Sequence, residues 1–350
     1  MFKKLFAKKA ARKVTLQSGI TFEVGRNETV LEAALKAGIA YPHDCTVGTC
    51  GSCRSRLLQG KVDAITPFGY TLSREELQAG YILACQAVPE SDLVVDVPLE
   101  AGEVRKVAAR IVEQRVLTHD IRCVTWETDG VIEYRAGQYM NIDWPGAPAP
   151  RSYSFSSAPA EGGRTRLSAF IRRVPGGAFT DALFADTLDD AAFTIEAPHG
   201  TFWLREGTGP IILIGGGSGL SPLMSVLEDA VQKRVGRNAI LLFGGRTERD
   251  LYCMDEIAAI RAQWPTQFDF RPVLSEEQTS HHRFGLVTAE VTTALTDLGD
   301  PASTQAYLCG PPGMIDAGVA ALVAAGVSLA NIFYDKFTDA STGAKQAGEN

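Results

Sequence analysis

Three cysteines within nine residues constrain this chain more than any other feature. Cys45, Cys50 and Cys53 stand at the spacing C-x4-C-x2-C in the stretch Tyr41 to Arg54, and Cys85 follows in ILACQ. That arrangement is a thiolate set for a [2Fe–2S] cluster, three ligands from one loop and the fourth from a distant segment. Gly48, Thr49, Gly51 and Ser52 lie between the ligands. Small residues let such a loop turn tightly and aim backbone N–H groups at sulfur. Structural zinc usually takes two C-x2-C pairs, and this chain has one. A disulfide framework suits a short secreted chain, whereas this one has 350 residues and begins without a signal-peptide pattern. A Rieske centre needs two His ligands. His43 precedes the loop, but no second Cys-x-x-His box exists, and His43 reads as an ordinary polar loop residue.

Through GTCGSCR and the later LACQ, residues 14–98 resemble the plant-type ferredoxin domain. The local pattern fits a small α+β unit. Lys13 to Val24 reads as two strands around Ser18-Gly19, and Glu28 to Ala37 as a helix closed by Gly38. Ser73 and Glu76 have capping-box spacing. Arg56–Leu58 and Val62–Ile65 read as short strands around Gly60, with further strands at Ile82–Cys85 and Leu93–Val97. Residues 99–105 read as a linker.

The length suits two or three domains. Net charge is −7, from 34 Lys and Arg against 41 Asp and Glu, which argues against a nucleic-acid binder. Cys123, Cys253 and Cys309 remain outside the cluster set, an odd number that points to a reducing cytosol. No apolar run approaches a membrane span. Residues 1–13 carry six basic residues and no acid. They read as a solvated terminus, with contact to an anionic membrane as the alternative.

Residues 106–207 are rich in short strand patterns and read as a barrel with one helix near Gly177. Two motifs mark it. Arg151-Ser152-Tyr153-Ser154 matches the R-x-Y-S motif of the ferredoxin–NADP reductase superfamily. The resemblance implies that Arg151 neutralises a flavin phosphate, Tyr153 packs on the isoalloxazine, and Ser154 lies near the flavin N5. A cation for a phosphate and an aromatic plane for a flat ring are sensible chemistry. Gly176-Gly177-Ala178-Phe179-Thr180 follows, and glycines opening a helix present N–H groups to an anion. In the family this segment cradles the FAD pyrophosphate. His199, in PHGTF, reads as structural.

From residue 208 to 337 strands and helices alternate, as in a doubly wound parallel sheet. The run Gly215 to Gly219 is no G-x-G-x-x-G fingerprint, since Leu220 takes the third position. It resembles the superfamily's G-G-x-[ST]-G-x-x-P, through Gly216, Gly217, Ser218, Gly219 and Pro222, and so implies contacts to a dinucleotide pyrophosphate. Cys309-Gly310-Pro311-Pro312 resembles its C-G-P-P box, with Cys309 implied beside the nicotinamide. In the final FYDKF, resemblance sets Asp335 near Ser154 and Phe337 near the flavin. Arg246 or Arg249, in the loop that reads the ribose in the family, could meet a 2′-phosphate, while Glu248 or Asp250 would repel one. Analogy favours NADH over NADPH. Residues 338–350 are polar and read as a disordered tail.

The whole chain resembles the reductase components of bacterial multicomponent oxygenases. That implies a multidomain α+β and α/β protein: a β-grasp-type [2Fe–2S] ferredoxin, an antiparallel β-barrel flavin domain and a doubly wound nucleotide domain. It further implies an NADH-dependent iron–sulfur flavoprotein in the cytoplasm, passing electrons from NADH through FAD and the cluster to a terminal oxygenase. Fusion of the modules keeps the internal transfer intramolecular. The partner is a ring-hydroxylating dioxygenase or a diiron monooxygenase, and FYDKF leans to the latter. Service to a non-oxygenase partner, or a redox-sensing binding role, are the alternatives.

Overall fold

The structure, a computed structural model, describes residues 11–43, 45–99, 102–144 and 146–338. Residues 1–10 of the basic segment and 339–350 of the polar tail lie outside the described residues. The chain forms two compact units, one within residues 1–100 and one within 101–342. No helix among the described residues is long and apolar enough to cross a membrane.

In the first unit, strands β1 (Arg12–Leu16) and β2 (Thr21–Val24) form an antiparallel hairpin. Helix α1 (Val30–Lys36) starts at a capping box, in which Thr29 accepts from the Glu32 N–H and Glu32 reaches back. Then come β3 (Arg54–Gln59), β4 (Val62–Ala64), α2 (Arg74–Gln78), β5 (Tyr81–Leu83), β6 (Ala87–Pro89) and β7 (Leu93–Asp96). Helix α2 has the second capping box, Ser73 with Glu76. The main sheet runs β2-β1-β7-β3-β5, with β1 and β7 parallel. β4 leaves this sheet and pairs with β6, so the turn at Gly60 does not join paired strands. The core packs Val14, Leu16, Leu31, Tyr41, Leu93 and Val95 together with Cys53 and Cys85. Two of the four patterned cysteines are thereby built into the hydrophobic core.

The second unit begins with β8 (Arg105–Val116), β9 (Ile121–Ile132), β10 (Tyr139–Asp143), β11 (Arg151–Ser154), β12 (Arg164–Arg172), α3 (Ala178–Phe184) and β13 (Phe193–His199). These strands form an antiparallel sheet in the order β11-β10-β13-β8-β9-β12. A bridge from Phe155 to Ala169 ties its two edges, so the sheet curls into a barrel. Trp126, Met140, Phe155, Phe179, Phe193 and Ile195 fill it.

There follow β14 (Ile211–Gly216), α4 (Leu220–Gln232), β15 (Ala239–Gly245), α5 (Met254–Gln263), β16 (Phe268–Leu274), β17 (Arg283–Phe284), α6 (Val291–Leu298), β18 (Gln305–Gly310), α7 (Pro312–Ala324) and β19 (Ile332–Lys336). All six strands are parallel, in the order β17-β16-β15-β14-β18-β19. Strand order reverses direction beside β14, the topological switch point at which such sheets bind ligands. Barrel residues Ile121, Ala136, Phe170 and Phe202 share a core with Leu213, Leu223, Phe243 and Tyr307 of this sheet. The barrel and the parallel sheet therefore pack as one unit.

Candidate functional site

The cysteine loop turns through left-handed backbone at Thr46, Gly48 and Gly51. At Gly48 the turn also needs space, because a Cβ there would lie 2.8 Å from Gln86 Cγ. Backbone N–H groups point at sulfur throughout. Those of Thr49 and Cys50 donate to Cys45 Sγ at 3.3 and 3.4 Å, that of Ser52 to Cys50 Sγ at 3.4 Å, and that of Cys85 to Cys53 Sγ at 3.5 Å. Gln86 Nε2 donates to the carbonyls of Thr46 and Cys85 and approaches Cys85 Sγ at 3.7 Å. This residue adjoins the fourth ligand and locks the two ligand segments together. None of the four cysteines is in a disulfide.

The sulfurs sort into two pairs. A hydrogen bond from Cys50 pushes the Cys45 thiol down to about 4, and Cys53 lowers Cys85 in the same way. The donors, Cys50 and Cys53, are pushed up by these partners and by burial. Four close thiols, ringed by N–H donors, fit the thiolate set that a [2Fe–2S] centre needs. His43 stands apart from this set, its Nδ1 2.7 Å from the Tyr41 carbonyl.

In the barrel, β11 pairs with β10 so that Arg151 lies opposite Ile142 and Ser154 opposite Tyr139. Arg151 Nη1 donates to the carbonyls of Ala149 and Pro150, and Ser152 Oγ donates to Asn141 Oδ1 at 2.8 Å. The half-buried Tyr153 ring is 5.5 Å from that of Phe179, at 41°. The R-x-Y-S strand and the glycine-led helix are thus neighbours, although 25 or so residues apart in sequence. Gly176 has φ +77, and its N–H donates to Asp181 Oδ2 at 2.9 Å. The Gly177 N–H donates to the Val174 carbonyl, and a Cβ on Gly177 would lie 2.7 Å from Thr180 Oγ1. Both glycine N–H groups are therefore engaged within the loop, and the amides that open α3, from Ala178 onward, are those that a helix start leaves without an intrahelical acceptor. A cation, a ring and a small hydroxyl along one strand, beside a glycine-shaped helix start, fit a flavin with a phosphate tail.

At the carboxyl ends of the parallel strands lies an open cleft. Gly216, Gly217, Gly244, Gly245, Arg172, Arg246, Asp250 and Pro311 contribute to its walls. A Cβ on Gly219 would come within 2.1 Å of the Cys309 carbonyl oxygen. The glycine loop and the C-G-P-P box are therefore in backbone contact. Cys309 is fully buried, and burial raises its thiol well above the ordinary range. It pairs with Asp335 across β18 and β19, and the Phe337 N–H donates to the Gly310 carbonyl at 2.9 Å. Cys309, Gly310, Asp335 and Phe337 thus meet at one end of the sheet. Ser154 joins the glycine-loop helix through its carbonyl, which accepts from Ser221 Oγ at 2.8 Å. A glycine-lined cleft at the switch point, with two arginines in its wall, fits an anionic dinucleotide.

Three family models match the chain in order: a 2Fe–2S iron–sulfur cluster binding domain over residues 14–90, an oxidoreductase FAD-binding domain over 108–203 and an oxidoreductase NAD-binding domain over 213–319. The xylene/toluene monooxygenase electron transfer component of Pseudomonas putida is 40% identical over 91% of this chain and 91% of its own. The chain belongs to the family of oxygenase reductase components. The reductase subunit of an Amycolatopsis aromatic O-demethylase is 37% identical over 90% of this chain and 95% of its own. The crystal structure of an Amycolatopsis cytochrome P450 reductase superposes with a TM-score of 0.70 at 34% identity, covering 94% of this chain and 99% of that one. This reductase is an NAD(P)H-dependent iron–sulfur flavoprotein oxidoreductase, with sites for a [2Fe–2S] cluster, FAD and a nicotinamide dinucleotide.

Sequence reading missed several residues that build these sites. Arg172 and Asp120 line the nucleotide cleft from the barrel side. Tyr252 donates to the Gly217 carbonyl at 2.8 Å and holds the glycine loop. Ser221 and Ser225 both donate to barrel carbonyls. Two serines at i and i+4 on an otherwise apolar helix face were the available signal for the last pair.

Proposed function

We propose that this reductase takes electrons from NADH and delivers them singly to the hydroxylase of a diiron monooxygenase acting on an aromatic compound, in the cytoplasm. The observation that carries the reading is the union in one chain of a close four-thiol set and a glycine-lined dinucleotide cleft that shares a core with the flavin barrel. The aromatic monooxygenase partner follows from the relative at 40% identity, whose system acts on xylene and toluene. Free thiols at Cys123, Cys253 and Cys309 suit a reducing compartment.

The modules span residues 14–98, 106–207 and 208–337 in this reading. When bound, FAD accepts two electrons as a hydride from the nicotinamide and releases them one at a time to the [2Fe–2S] cluster. Cys45, Cys50, Cys53 and Cys85 hold that cluster, and the N–H donors to sulfur tune it. Arg151 and the opening amides of α3 bind phosphate, Tyr153 stacks on the flavin ring, and Ser154 keeps its N5 edge unobstructed. Gly216 to Gly219, with Pro222, form a backbone surface for the pyrophosphate. Cys309 and Gly310 to Pro312 shape the nicotinamide end, which Asp335 and Phe337 flank. The Asp250 carboxylate in the cleft wall disfavours a 2′-phosphate, with Arg246 beside it in the same wall.

An anaerobic titration followed by visible absorption and low-temperature EPR tests the reading. NADH is expected to bleach the flavin and cluster bands together and to produce a reduced [2Fe–2S] signal. A bleached flavin without that signal overturns the internal chain, and reduction by NADPH alone overturns the nucleotide assignment. Turnover with a purified aromatic monooxygenase hydroxylase, and none with a ring-hydroxylating dioxygenase, tests the partner.

A further inference from the structure

We propose that His119 is a positioning residue for the dinucleotide, a protonatable clasp that joins the two flanks of the cleft and sets Arg172 over the glycine loop. The inference rests on the dinucleotide reading of that cleft. His119 lies in the turn between β8 and β9, with its side chain 35% exposed. Its Nε2 is 3.9 Å from Asp120 Oδ1, and its Nδ1 is 3.7 Å from Asp250 Oδ1. Asp120 belongs to the barrel and Asp250 to the loop after β15, so the imidazole spans the seam between them. Both separations are long for a hydrogen bond but suit ion pairing once the ring carries a proton.

Each carboxylate is already oriented by other groups. Asp120 Oδ1 accepts from Thr118 Oγ1 at 3.0 Å, and Oδ2 accepts from Arg172 Nε at 2.9 Å. Burial pushes the Asp120 carboxyl up, but Arg172 and Thr118 outweigh it and hold the group below its ordinary range. Asp250 Oδ2 accepts from the N–H groups of Arg246 and Thr247 at 3.1 and 2.9 Å and from Thr247 Oγ1 at 3.2 Å. Arg246 Nε stands 4.0 Å from the same oxygen. Held by Asp120 at Nε, Arg172 turns its far end to the glycine loop, its Nη1 3.5 Å from where a Gly217 Cβ would stand. The charged groups facing the imidazole are thus Asp120 on its own turn, Arg172 from β12, and Asp250 and Arg246 from the loop after β15. Tyr252, further along, is buried and kept neutral by that burial.

Two carboxylates and two guanidiniums cancel, so the proton on His119 sets the net sign of this wall. A protonated ring adds positive charge beside an anionic pyrophosphate and draws Asp120 and Asp250 towards one another. Affinity for the dinucleotide is therefore higher while the ring carries its proton and falls when the proton is lost. His119 touches no reacting atom, so the effect belongs to KM and leaves kcat in place.

The test measures KM and kcat for NADH at constant ionic strength, with ferricyanide as acceptor, from about pH 5.5 to 8.5. The parent protein should show a KM rising roughly two- to fivefold across that range, the scale of a partly exposed ion pair. His119→Gln should show the high KM at every pH, and His119→Lys, with a fixed charge, the low one. The flavin absorption band and the melting temperature report folding of each variant. A Gln variant that keeps the parent's pH slope overturns the clasp, as does a Lys variant that behaves like Gln, or a change in kcat alone. A flat parent profile with normal turnover also overturns it. Failure of both NADH and NADPH to reduce the parent overturns the cleft reading, and the clasp with it.

Discussion

Gly219 stands where two motifs touch. Its backbone is helical, with φ −61, so an alanine would meet no conformational penalty there. The obstacle is steric, because the new Cβ would fall 2.1 Å from the Cys309 oxygen and 2.5 Å from its carbonyl carbon. Backbone cannot swing aside as a side chain can, so the strand end or the helix start must shift. Gly219→Ala is expected to lower the melting temperature by about 3–8 °C and to raise KM for NADH. Gly236, with nothing within 4 Å of its Cβ position, is the control, and Gly236→Ala should leave both quantities unchanged. Gln86 illustrates a different residue effect. Its amide approaches Cys85 Sγ, and donors to cluster sulfur stabilise the more negative, reduced state. Gln86→Leu keeps the bulk and removes the donor, so the cluster midpoint potential should move to a more negative value in an EPR-monitored redox titration. The cluster domain could be read from spacing because the cysteine pattern lies in one short stretch. Gln86 and Arg172 could not, because their roles arise from contacts between segments that spacing does not describe.

At the scale of elements, helix α4 is fastened to the barrel by its serines. Ser221 Oγ donates to the Ser154 carbonyl and accepts from the Phe170 N–H at 3.1 Å, and Ser225 Oγ donates to the Ser157 carbonyl at 2.6 Å. Both serines are buried. Ser221→Ala strands a buried N–H and a buried carbonyl at once, a cost of about 1–3 kcal/mol. A drop in melting temperature of at least a few degrees is expected, and Ser221→Thr, which keeps the hydroxyl, should recover part of it. Elements with a local cause were legible. The Ser73–Glu76 capping box carries its signal in four residues, and α2 starts where Ser73 puts it. Helix α1 is legible from its helical spacing, while its own capping box at Thr29 and Glu32 emerges only in the structure. Elements whose cause is distant were not. β4 is legible as a strand, but its partner is not: its hydrogen bonds go to β6, a pairing that depends on where the Cys85 segment returns. Helix α7 escaped notice because its run of Ala, Gly and Val lacks a polar face. Its Gly318 is packed so close that a Cβ would meet Leu308 at 2.6 Å, so tertiary contact decides that helix.

For the whole molecule, the placement of the cysteines separates two half-reactions that one chain carries. The ligands lie in the unit within residues 1–100, while the flavin barrel and the dinucleotide cleft lie in the unit within 101–342 and share a core of their own. Loss of the cluster should therefore leave the second unit folded and able to take electrons from the dinucleotide. Cys85→Ser in the full chain tests this. The serine nearly matches the cysteine in size at a buried position, so the core around Val14, Tyr41 and Leu93 keeps its packing, while an oxygen replaces the thiolate. The variant is expected to lose the parent's reduced-cluster EPR signal and its delivery of electrons to the oxygenase. Its flavin should still bleach with NADH, and ferricyanide, which accepts electrons directly from reduced flavin, should be reduced near the parent's rate. Equal loss of both activities would mean that the two units depend on each other for folding or for the first electron step. Retained delivery to the oxygenase would mean that electrons leave without passing the cluster, and the four-cysteine loop would then have no place in the route.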